Sequence, residues 1–113
     1  MSIPNRRVTR EVITTILQSS EEDMNEYEKG LCGGILEEML WTMENDEKFF
    51  NMINEYDIHF VSEKVFNSWG ADMNEHEKEL CRNMLQKMMQ MMNSNEVFYN
   101  KVENLVRSDQ FTN

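Results

Sequence analysis

The chain has 113 residues, 40% hydrophobic and 28% charged, which is enough for one packed core and too little for two independent ones. Twenty-one acidic side chains against eleven basic ones leave a net charge of −10, so the chain repels phosphate backbones, which argues against direct nucleic-acid binding, and attracts basic proteins. No apolar run reaches the roughly eighteen residues of a membrane span, and the start MSIPNRRVTR lacks the apolar stretch of a signal peptide; the expected location is a cytoplasm, the protein's own or a host's.

Four glycines and one proline favour helices throughout. Residues 1–7 read as an arm, whose Arg6 and Arg7 join Arg10 in the one basic cluster. Val8, Val12, Ile13 and Ile16 then mark a short helix. Asp23 followed by Glu26 has capping-box spacing and announces a long helix. Along it Leu31, Ile35, Met39 and Thr42 form a stripe that Cys32, Leu36 and Met43 widen, and so broad an arc belongs to a helix covered on several sides. Gly30, Gly33 and Gly34 interrupt it at a cost of about 1 kcal/mol each relative to alanine, which points to another helix packed close against that bare surface. A third short element starts near Asn45 and Asp46, with Phe49, Phe50, Ile53 and Tyr56 as its apolar face.

The same order then recurs. Phe60, Val61, Val65, Phe66 and Trp69 mark a short helix, and Asp72 followed by Glu75 opens a second long one bearing Leu80, Cys81, Met84, Leu85, Met88, Met91 and Met92. From Ser94 and Asn95 a final element carries Phe98, Tyr99, Val102 and Leu105, before a tail at 108–113. No stretch alternates with period two, so no sheet is expected.

The recurrence is a duplication. DMNEYEKGLC at 23–32 matches DMNEHEKELC at 72–81, and an offset of 49 carried from Asp23 to Asn51 gives 14 identities in 29 pairs. VTREVI at 8–13 matches VSEKVF at 61–66 after a four-residue shift. The expected fold is all-α, with about six helices as two tandem three-helix repeats (short, long, short), 8–57 and 58–107, packed in one domain about a pseudo-twofold axis or as a short solenoid.

The familiar chemical motifs fail. An EF-hand loop needs an oxygen ligand at position 5, glycine at 6 and glutamate at 12; loops begun at Asp23 and Asp72 put Glu28 and Glu77 at 6, and Gly34 and Asn83 at 12. His59, His76, Cys32 and Cys81 have no familiar metal-ligand spacing. Twofold packing would bring Cys32 and Cys81 toward each other, but buried free thiols are the expectation. No nucleophile–base pair or phosphate loop stands out, so neither catalysis nor a cofactor is expected.

Charge separates the two copies. Residues 21–57 hold twelve acidic side chains and two basic ones, whereas the remainder has nine of each, so all ten net negative charges fall on the first copy. The expected function is therefore protein binding: a small acidic factor docks its first repeat, through Glu37, Glu38, Glu44, Asp46 and Glu47, on a basic partner protein. Inhibition of a nucleic-acid-handling protein by partial phosphate mimicry fits this charge, by analogy with phage and viral host-interaction proteins. The alternative is an oligomeric adaptor that binds itself or a helix through a methionine and aromatic surface at Met88, Met89, Met91 and Met92.

Overall fold

Each long helix opens on an asparagine. In the computed structural model, which describes residues 5–20, 23–70 and 72–107 (side chains from residue 8), Asn25 Oδ1 accepts from the Glu28 amide at 2.8 Å while the Glu28 carboxylate accepts from the Asn25 amide at 3.0 Å. Asn74 and Glu77 form the same reciprocal box at the same two distances. Helices α2 (Glu26–Asn45) and α5 (Glu75–Ser94), twenty residues each, start there.

The caps thus lie two residues beyond the expected Asp23 and Asp72. The reason is Met24, whose Sδ sits 3.6 Å from Cys32 Sγ. A helix continued back to Met24 would hold it about 12 Å along the axis from Cys32. The chain must leave helical geometry before Asn25 to fold that methionine back. Met73 does the same to Cys81, at 3.8 Å.

The other elements are α1 (Asn5–Ser19), α3 (Glu47–Asn51), a 3-10 turn (Ile53–Glu55), α4 (Ile58–Trp69) and α6 (Glu96–Arg107). Among the described residues every regular element is helical, so the fold is all-α. The first helix takes in Asn5 to Arg7 of the expected arm; residues 1–4 and the 108–113 tail lie outside the described residues.

The third elements differ in form, although Glu47, Phe49 and Asn51 match Glu96, Phe98 and Asn100. The last, α6, runs twelve residues unbroken, whereas its counterpart stops after five and continues as a 3-10 turn. Asp57 explains the difference. Its carboxylate caps α4 by accepting from the Phe60 amide at 2.8 Å, so the chain must have left the preceding helix by Tyr56. The far end of α4 is closed by Gly70 at φ 71, its N–H bonded to Phe66 O at 2.9 Å; a side chain there would clash with its own backbone.

The long helices form the centre. The first of them, α2, packs against α1, α3, α4, α5 and α6, and buries Cys32, Ile35, Leu36, Met39, Leu40, Thr42 and Met43. Its partner α5 lies against α1, α2, α4, α6 and the 3-10 turn. The first and last helices also meet, which closes the bundle where an open stack would keep its ends apart. The first turns of α2 and α5 come together at Glu28 and His76, 3.3 Å apart. One turn further in, the buried thiols of Cys32 and Cys81 are neighbours, and no disulfide joins them. Hydrogen bonding to the Cys32 thiol, then burial, pushes the Cys81 thiol well above its ordinary range, so it stays protonated.

Candidate functional site: an acidic cleft walled by tryptophans

Gly34, Glu37, Glu38 and Trp41 are spaced three and four residues apart, so they share one face of α2. Across from them stand Ser68 and Trp69, the last two residues of α4. Together the six line an open cleft of about 410 Å³, within the roughly 300–1,000 Å³ usual for ligand sites.

Each lining residue has a local cause. Gly34 makes room: a Cβ on it would lie 3.0 Å from Trp69 Cζ2, so a larger residue there would force the indole to shift by a few tenths of an ångström. Trp69 is held in place by the left-handed turn at Gly70 just beyond it. Ser68 Oγ donates to Glu38 Oε2 at 2.6 Å and fixes that carboxylate across the gap. Trp41 forms the outer wall with 56% of its surface exposed, an unusual setting for so large an apolar ring.

The electrostatics favour a cation. Glu37 is exposed, and among the described residues no ion pair uses Glu37 or Glu38. The nearest cation on α4 is Lys64, one turn before Ser68, and it is taken by Asp46 at 3.4 Å. The indole faces add their own negative quadrupole to the two carboxylates. Such a cleft can hold a positive group by charge on one side and by ring stacking on the other.

The five acids singled out from sequence are not one uniform face. Glu37 and Glu38 enter the cleft. Glu44 lies one turn beyond Trp41 and is half-buried, and Glu47 is exposed in the first turn of α3. Asp46 is committed to the fold, because it accepts from the Phe49 amide at 3.0 Å and pairs with Lys64. That amide, and then Lys64, hold its carboxyl below the usual carboxylate range.

The methionine surface does not form as expected. Met88 and Met92 are buried, because α5 is covered on several sides. Met89 and Met91 are half-buried against the core, and Met89 alone of the four lines an open groove of about 430 Å³, among Asn54, Tyr56, Gln86 and Gln90. The three glycines also part company. Gly34 packs closely and a Cβ on Gly33 would meet Ile13 Cγ2 at an ordinary 3.8 Å, but a Cβ on Gly30 would meet nothing within 4 Å. Gly30 lies on the exposed side of α2, where no helix covers it.

Trp41 and Trp69 are the residues that sequence patterning passes over. Trp69 sits on the apolar stripe of its helix, and Trp41 falls outside the stripe of α2. A signal for them exists in the duplication. At an offset of 49, Gly34, Glu37, Glu38 and Trp41 correspond to Asn83, Gln86, Lys87 and Gln90, so every α2 position of the cleft differs. The buried Cys32, Leu36, Met39 and Met43 are meanwhile identical to their counterparts. Comparison with protein-family models, curated proteins and solved structures returns no match.

Proposed function

We propose that the chain is a protein-binding factor that docks the acidic side of its first half, centred on the α2–α4 cleft, against a basic surface of a partner protein. The observation that carries this reading is the pairing of uncompensated Glu37 and Glu38 with the exposed ring of Trp41. Carboxylates alone would serve solubility, whereas a tryptophan left in water beside them serves contact. Long-range attraction from the charge of −10 raises the encounter rate with a basic partner. A groove built for nucleic acid is the basic surface that helix-borne carboxylates suit best, and their occupancy of it makes the chain an inhibitor. No catalytic step is part of this reading.

The test is capture of partners from a cell lysate on the immobilised chain, across a salt titration. A specific partner should be released as salt rises, and reversal of Glu37, Glu38, Glu44 and Glu47 to lysine should abolish its capture. A partner retained at high salt by the charge-reversed chain overturns the proposal. Docking through methionine instead predicts salt-insensitive capture that polar substitution at Met89 disrupts; Met88 and Met92 are buried and take no part in it.

A further inference from the structure

We infer that the α2–α4 cleft is a socket for a single arginine side chain of the partner, the guanidinium stacking on the indoles of Trp41 and Trp69 while the carboxylates of Glu37 and Glu38 receive its N–H groups. The inference rests on the docking reading above and names the group that the docking recognises.

Three observations lead to it. The cleft is narrow in chemistry: two indoles, two carboxylates, one hydroxyl and a glycine line it, with no cation among them. A planar cation with a weakly held hydration shell suits ring faces, and a fork of N–H donors suits carboxylates; guanidinium has both properties and ammonium has neither. The carboxylates are also not equally placed. Ser68 already donates to Glu38 Oε2, which leaves that group oriented, while Glu37 stands exposed at the rim and its unpinned side chain can adjust. A fixed acceptor beside an adjustable one can take a bidentate donor with little ordering cost.

The cleft carries its own reporter. The chain has two tryptophans and both line it, so tryptophan emission, excited at wavelengths that tyrosine does not absorb, reads this site. The probe is a short basic peptide with one central arginine, compared with the same peptide carrying lysine or citrulline at that position. Citrulline keeps the planar shape and loses the charge.

The arginine peptide should give a saturable change in tryptophan emission. Affinity should fall about tenfold for citrulline and by a smaller factor for lysine. Glu37→Gln and Trp41→Ala, both at exposed side chains, should each weaken arginine binding about fivefold with unchanged helicity and melting temperature. Equal affinity for arginine and citrulline, or no saturable change, overturns the inference. An emission change that follows protein concentration alone also overturns it, since a second copy of the chain then fills the cleft. Failure of the socket is separable from failure of the docking reading. If the arginine peptide gives no saturable emission change while an oligolysine still binds in a salt-dependent way, indifferent to Trp41→Ala, the socket falls and the acidic docking stays. If oligolysine fails to bind at low salt as well, both fall.

Discussion

Glycine at position 34 and glycine at position 30 have the same cost for a helix and different reasons to exist. Both forgo about 1 kcal/mol relative to alanine. At Gly30 a methyl group would meet nothing and the backbone is ordinary right-handed helix, so Gly30→Ala should raise stability by roughly 0.5–1 kcal/mol in a urea melt. At Gly34 the same methyl group would press on Trp69 at 3.0 Å. Gly34→Ala should therefore lose that gain, shift tryptophan emission in the free protein and weaken capture of the basic partner. If the two variants prove equally stabilising and equally silent in fluorescence, Trp69 does not rest on Gly34, and the inner wall of the cleft is misplaced.

At the scale of one element, the start of each long helix decides where its apolar face points. A cap at Asn25 or Asn74 closes two orphan amide groups by a reciprocal box, and the residue before it turns inward as a plug on a cysteine. Replacement of Asn74 by alanine should destabilise the protein by about 1 kcal/mol. Asp72→Ala, at the position that spacing alone marks as the cap, should stay within about 0.5 kcal/mol of the parent. The reverse order in thermal or urea unfolding would show that α5 begins earlier, with Met73 no longer folded back on Cys81. The Asn caps were within reach of sequence reasoning, since asparagine is among the best cap residues. Spacing points to Asp23 with Glu26, whereas the structure uses Asn25 with Glu28. Burial of a methionine settled the choice, and burial is a tertiary property.

Over the whole molecule, two features coexist: the halves share a core, and they do not share a charge. Helix α2 of the first half touches α4, α5 and α6 of the second, and the Cys32 and Cys81 thiols meet inside that contact. The neighbouring thiol and burial keep Cys81 protonated, and only the thiolate reacts with alkylating reagents. Both cysteines should therefore label slowly at pH 8, at one common rate that tracks global unfolding, and rapidly in denaturant. If Cys81 labels quickly while Cys32 stays protected, the halves open separately and the shared core is wrong.

The sequence by itself determined the helical class, the six helical segments, the identities that tie the halves together and the side on which the charge falls. These are local or additive properties: hydrophobic period, composition and net charge need no knowledge of neighbours. Tertiary structure alone decided that Met88 and Met92 are core, that Asp46 spends its charge on Lys64, and that Gly30 stands in the open. It also decided that Ser68 and Trp69, nearly thirty residues beyond Glu38 and Trp41 in the chain, complete a cleft with them. A site made from two helices has no signature in either one, because the distance that creates it is set by how their apolar faces pack and not by any spacing along the chain.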